Sequence, residues 1–219
     1  MSLKPITVYG HGSGPNPWKV IMVLEELNIP YVLKIVGFPD MKKEPFESIN
    51  PNGRVPAIED PNTDITLWES GAIVEYLVDT YDKNNTISFA SGSKDYYLAK
   101  QWLHFQVSGQ GPYFGQAIWF SRYHSEKVQS AIDRYIKEIR RVTGVLNRGL
   151  QGKQYLVGDK FSYVDAAFVP WYLSAAIFEL DMEKDFPNVA AWLKRVQERP
   201  AIAKSIQDRA EAIAQQTSI

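Results

Sequence analysis

The sequence predicts an α/β first half followed by an all-helical second half, and three observations predict it. Short β-branched and aromatic runs alternate with helix-period runs over roughly the first eighty residues. A polar stretch carrying Asn-Asn and Ser-Gly-Ser follows, and beyond it the apolar residues recur at helical spacing with Gly and Pro between the runs. The expected divisions are residues 1–82, a linker over 83–93 and a helical region over 94–219.

Ile6 to Gly10 reads as a strand, interrupted by the turn residues His11-Gly-Ser-Gly-Pro-Asn-Pro17. A helix is expected at Pro17, whose missing N–H costs nothing at a first helical position, with Asn16 as its N-cap. Val20, Val23, Leu24 and Leu27 recur at spacings of three and four, and Asn28 to Pro30 ends the run. Tyr31 to Val36 supplies a second strand, so the opening is a βαβ unit with parallel strands. After the polar stretch Asp40 to Asn52, Val55–Glu59 and Ile65–Trp68 read as strands around an Asp-Pro-Asn-Thr turn, and Gly71–Tyr81 as a helix. In the second half, Lys94–Gln106, Ser125–Leu150, Tyr163–Phe178 and Val189–Glu198 carry helical periodicity. Ser162, with Asp165 three residues on and Phe161 before it, reads as a capping-box variant that fixes a buried helix start.

Composition removes several classes of function. The formal charge of −1 gives no basic footprint for nucleic acid or an anionic membrane. No stretch approaches the ~20 apolar residues of a membrane span, and no basic segment with an apolar run opens the chain. His11, His104 and His124 lack any short ligand spacing, so no metal site is expected. The absence of cysteine excludes disulfides, thiolate metal sites and catalysis through the protein's own sulfur, and any thiol chemistry must arrive with a ligand. A reducing, cytoplasmic setting is the expectation.

The strings Asn50-Pro-Asn-Gly-Arg-Val-Pro-Ala57, Trp68-Glu-Ser-Gly-Ala-Ile73 and Val157-Gly-Asp-Lys-Phe-Ser-Tyr-Val-Asp165 together resemble the glutathione transferase superfamily over essentially the whole chain. Ser13-Gly-Pro-Asn16, Gln110-Gly-Pro-Tyr-Phe-Gly-Gln116 and Phe168-Val-Pro-Trp171 look like the branch joining the bacterial nu class to the fungal nitrogen-catabolite regulator and its enzyme relatives. The resemblance implies a thioredoxin-like first domain with a mixed four-stranded sheet, an all-α second domain and a homodimer. It also implies glutathione as co-substrate, with no permanently bound cofactor.

Three places suit a peptide-like anion. Arg54-Val55-Pro56 opens a strand where proline cannot donate to a ladder; with the cis bond of the family, Val55 would pair its backbone with the cysteinyl residue of glutathione. An ordinary edge-strand proline is the alternative. Ser70 reads as an N-cap beside free helix N–H groups, an anion site for the γ-glutamyl carboxylate, with Glu69 for the neighbouring ammonium. Lys42 and Lys43 lie where relatives place a group for the glycyl carboxylate, and either one is a candidate.

A glutathione thiol with a pKa of about 8.5 is mostly protonated near neutrality. Lowering that value by two units needs ~2.7 kcal/mol. A helix N-terminus supplies ~0.3–1 kcal/mol and one hydrogen bond to the charged sulfur ~1.5–3 kcal/mol. The nu-like branch uses the asparagine of Pro-Asn, which makes Asn16 the first candidate for the thiol, ahead of Ser13 and then Tyr9. Gly14 stands where relatives carry a hydroxyl. Tyr113, Phe114, Trp119 and Phe120 are candidates for an acceptor site, and Arg134, Arg140 and Arg141 for a second glutathione carboxylate.

The resulting expectation is a glutathione transferase acting on an electrophilic carbon, a disulfide or a peroxide. The alternative is a regulatory or binding protein that keeps the fold without turnover. The fungal regulator carries a long Asn-rich N-terminal extension, and only five residues precede Ile6 here, which disfavours that alternative.

Overall fold

The computed structural model describes residues 2–178 and 180–217. In chain order the elements are β1 (Ile6–Gly10), α1 (Pro15–Glu26), β2 (Tyr31–Ile35), α2 (Phe46–Ile49), β3 (Ala57–Asp60), β4 (Ile65–Trp68) and α3 (Ser70–Tyr81). They continue with α4 (Lys94–Phe105), α5 (Gly111–Arg122), α6 (Gln129–Gly149), α7 (Tyr163–Tyr172), α8 (Met182–Asp185), α9 (Pro187–Gln197) and α10 (Pro200–Thr217). The chain forms two compact units, residues 1–88 with 197–219, and residues 89–196.

In the first unit the sheet runs β2-β1-β3-β4, with β1 and β2 parallel and the other pairs antiparallel. This is the mixed four-stranded sheet of a thioredoxin-like unit. The period-two pattern of β1 buries Ile6 and Val8 completely, while Tyr9 faces the other side with Phe46, Val36, Met41 and Ala57. Helix α1 is buried continuously from Pro17 to Leu24 because it packs against β1, α3 and α10 together. An amphipathic stripe alone would have left one face wet.

The C-terminal helix is where the units depart from the linear division of the sequence. Helix α10 was expected among the second-half helices, yet it packs on α1 within the first unit. Arg199 makes a bidentate pair with Glu26, both bonds 2.7 Å, and Lys204 reaches Glu25. Part of the expected linker is also tied down: the Asp82 carboxylate accepts from Thr86 N–H, Ile87 N–H and Ser88 Oγ, and Ile87 is buried.

The second unit is helical throughout. Asp165 is fully buried and accepts from the Ser162 N–H and hydroxyl, the Leu156 N–H and the Trp192 indole, so the capping box also anchors a neighbouring helix. Burial pushes its carboxyl pKa up, and the four donors oppose that shift. The helix expected over Tyr163–Phe178 ends at Tyr172 and gives way to a 3₁₀ turn, Ala175–Phe178, just beyond Pro170. Between α4 and α5 the backbone widens into a π-helical turn, Gln106–Gln110. Pro112 follows directly; its ring would clash with the carbonyl four residues back in an unbroken α-helix.

Candidate functional site

Register explains why the site forms where it does. Tyr9 lies opposite Ala57, and Ala57 opposite Trp68. Because β3 is antiparallel to both β1 and β4, the end of β1, the start of β3 and the end of β4 share one edge of the sheet. The loop His11–Gly14, the segment Arg54-Val55-Pro56 and the pair Glu69-Ser70 all leave from that edge. Strand pairing alone therefore gathers the three segments that the sequence singles out for glutathione.

The N-cap of α1 is Gly14, with no side-chain cap, and Asn16 is the second helical residue rather than the cap. Pro15 and Pro17 flank it and have no N–H, so among the first three helical positions Asn16 alone carries a backbone donor. Its backbone N–H stands at the positive end of the helix dipole.

The preceding loop is held on all sides. Its Gly12 carbonyl accepts from the Trp18 indole at 2.9 Å, and the Gly12 N–H donates to Gln216 Oε1 at 2.8 Å. A Cβ on Gly12 would sit 2.9 Å from backbone atoms of Ala212 and Ile213, so glycine is required by the approach of α10. The Ser13 carbonyl accepts from Arg209 at 3.2 Å. His11, tilted against Phe38 with ring centroids 4.2 Å apart, has its pKa lowered by burial. Its Nδ1 accepts from Ser13 N–H and lies 3.0 Å from Ser13 Oγ, which turns the hydroxyl proton towards the ring.

Tyr9 is also committed elsewhere. Its hydroxyl donates to Glu59 at 2.7 Å, and burial with that carboxylate pushes its pKa up to about 12.

The Val55–Pro56 bond is cis. Val55 takes up no ladder or turn hydrogen bond among the described residues. The segment before it is shaped by Asn50, whose amide donates to the Arg54 carbonyl at 2.5 Å, while the Arg54 side chain is exposed. Gly53, at φ 58°, brings this turn against Lys42: an added Cβ would meet the Met41 carbonyl at 2.8 Å and Lys42 Cγ at 2.9 Å. Lys43 pairs instead with Asp40 at 3.8 Å, both largely exposed.

At the end of β4, Glu69 occupies the N-cap of α3 with φ 73° and ψ 112°, and Ser70 is the first helical residue rather than the cap. That backbone conformation is rare for a residue with a Cβ and holds the Glu69 carboxylate exposed beside the helix start. Ser70 is buried and accepts at 3.3 Å from the ammonium of Lys19, which is only 2% exposed. Sequence reading missed Lys19; its signal was a single cation inside the run Pro17–Leu24 of a helix buried all round.

In the second unit, Phe114 is wholly buried among Trp171, Tyr172 and Phe178, a core residue with no surface to offer a ligand. Tyr113 and Phe120 are half-buried, Phe120 stacked between His124 and Tyr135, and Trp119 is 51% exposed. Arg140 pairs with Asp185 and Arg141 with Glu138. A concavity of about 510 Å³ lies by the far end of α1, lined by Leu24, Glu25, Asn28 and Lys204 among others, and contains none of the candidate glutathione-site residues. No group of three or more metal-ligating side chains occurs among the described residues, and no described helix is long and apolar enough to cross a membrane.

Comparison with known proteins agrees with this layout. Residues 13–80 match the glutathione S-transferase N-terminal domain, and residues 109–200 the glutathione S-transferase C-terminal domain. The glutathione S-transferase-like protein tpcF of Aspergillus fumigatus is 50% identical, with 94% of this chain and 96% of that protein aligned. The glutathione transferase URE2P8 of Phanerochaete chrysosporium, solved with oxidized glutathione, superposes with a TM-score of 0.93 at 41% identity, covering 96% of this chain and 97% of that one. Ure2p5 of the same organism, cocrystallized with 1-(S-glutathionyl)-2,4-dinitrobenzene, gives a TM-score of 0.88 at 42% identity with 97% of each chain covered. The chain belongs to the glutathione S-transferase family, beside the Ure2p-type glutathione transferases.

Proposed function

We propose that this protein is a glutathione transferase whose first unit binds glutathione and activates its thiol for attack on an electrophilic carbon, a disulfide or a peroxide. The backbone of Val55, delivered by Arg54 and Pro56, pairs with the cysteinyl residue. Ser70 and the N-terminus of α3 take the γ-glutamyl carboxylate, Glu69 takes the neighbouring ammonium, and Lys42 takes the glycyl carboxylate. The thiolate then lies before the N-terminus of α1, where the Asn16 amide donates to it. In conjugation the sulfur forms a bond to carbon, the leaving group departs with its electron pair, and the thiol proton passes to solvent.

The observation that carries this reading is the single sheet edge shared by the Asn16, Val55 and Ser70 segments through the register Tyr9–Ala57–Trp68. The cocrystallization of the related Ure2p5 with a glutathione conjugate supports a conjugation reading over a binding protein without turnover. Ser13 is a weaker activator than Asn16, since its hydroxyl proton turns to His11. Because the chain has no cysteine, disulfide reduction would consume two glutathione molecules, one attacking and one resolving. Homodimerisation belongs to the same reading.

Retention on immobilised glutathione, followed by turnover of an aryl halide, a mixed glutathione disulfide and cumene hydroperoxide, tests it. Turnover of at least one of these is expected. Retention without turnover or thiolate formation would favour the non-catalytic binding protein instead.

A further inference from the structure

A lysine ammonium is among the most costly groups to bury, and Lys19 is buried beneath the first residue of α3 rather than at any surface. Its Nζ donates to Ser70 Oγ at 3.3 Å. An ammonium only donates, so the Ser70 oxygen facing it acts as acceptor and the hydroxyl proton is directed away from Lys19. Resting on the glutathione reading above, we propose that Lys19 is a protonation-dependent positioning residue for the γ-glutamyl subsite. When charged, it orients the Ser70 hydroxyl to donate to the ligand carboxylate and places a buried positive charge behind it; when neutral, it supplies neither.

The surroundings favour such a switch. Burial lowers the Lys19 pKa to about 7, opposed by the Glu69 carboxylate. Of the elements packed on α1, β1 contributes no charged residue. Helix α10 directs Lys204 and Asp208 to the Glu25 end of α1, Glu211 to Gln207 and Arg209 to the Ser13 carbonyl. Helix α3 contributes Glu69 at its start, with Glu75 and Asp79 further along. Glu69 is the charge that acts on the ammonium, and once it is engaged by the ligand ammonium, the incoming carboxylate replaces it as the anion favouring protonated Lys19. Ligand binding is therefore coupled to proton uptake at Lys19, and affinity is highest below pH 7 and falls as the pH rises through the free protein's value.

The experiment uses S-hexylglutathione, which has no thiol to release a proton. Calorimetric titration near pH 7 in two buffers of different ionisation enthalpy measures proton uptake directly. The native protein should take up a substantial fraction of a proton, and its affinity should fall roughly tenfold between pH 6 and 8.5, the effect of about one unit of linked pKa rise. In Lys19→Met, which replaces a buried charge by an apolar chain of similar length, uptake should vanish and the affinity profile should flatten. Lys19→Arg, permanently charged, should bind without uptake or pH dependence, which separates the charge effect from a packing defect. Tight binding by the native protein with no proton uptake would overturn the inference and leave the glutathione reading intact. No binding of S-hexylglutathione by the native protein would overturn both.

Discussion

Arg209 donates to the carbonyl of Ser13 at 3.2 Å across 196 residues of sequence, so the last helix of the chain fixes the loop that precedes Asn16. Gln216 on the same helix holds the Gly12 N–H. Arg209→Met and Gln216→Ala are expected to loosen that loop and lower kcat/KM by roughly 10–100-fold, the usual cost of misplacing a reacting group by about 1 Å. Gly12→Ala should be at least as severe, because the methyl meets α10 backbone and cannot be relieved by a rotamer change. Steady-state kinetics alongside thermal melts separates this effect from unfolding.

Tyr9→Phe should leave the thiolate titration of bound glutathione unmoved, because the phenol spends its proton on Glu59. An upward move of the titration in that variant would return Tyr9 to the mechanism.

Of the two lysines before the Asn50–Ala57 turn, Lys42 is the one packed on Gly53. Lys42→Ala should raise the KM for glutathione about fivefold, the scale of an exposed charge pair worth ~1 kcal/mol. Lys43→Ala, which removes only a partner of Asp40, should change it less than about twofold. The reverse order in the two KM values would reassign the glycyl carboxylate.

The buried Asp60 carboxylate accepts from Tyr76 and Tyr81 hydroxyls and from both the backbone and the amide of Asn62. Burial pushes its pKa up, but the four donors outweigh burial and hold it below the usual carboxylate range. A depressed folded value stabilises the protein above the unfolded pKa of about 3.9, and that contribution is lost as the pH falls through the folded value. Asp60→Asn should therefore lower the melting temperature at pH 7 and narrow the difference between native and variant in melts at pH 3.

The strands, the parallel β1–β2 pair and the bodies of α1 and α3 were legible because alternation and helical period are local signals. The helix starts were not legible to the residue. Asn16 and Ser70 are both favoured caps, and each fell inside its helix instead, one behind Gly14 and one behind Glu69. Two prolines allow helical geometry to begin before Asn16, and no propensity scale signals that Glu69 adopts a positive φ. Helix α10 is rich in alanine, and its partners in the first loop lie about two hundred residues away, so no local pattern announces Arg209 or Gln216. Phe114 fits an acceptor site by residue type; only the packing of three further aromatic rings around it reveals a core residue.

The proposal that the Asn16 amide donates to the thiolate is tested most directly by an ultraviolet thiolate titration of bound glutathione. In the native protein the apparent thiol pKa should fall about two units below its free value of ~8.5. In Asn16→Ala it should return upward by roughly 1–2 units, the loss of one ~1.5–3 kcal/mol hydrogen bond to a charged group, while glutathione is still retained through Val55, Glu69 and Ser70. A titration that is the same in native protein and variant would contradict it.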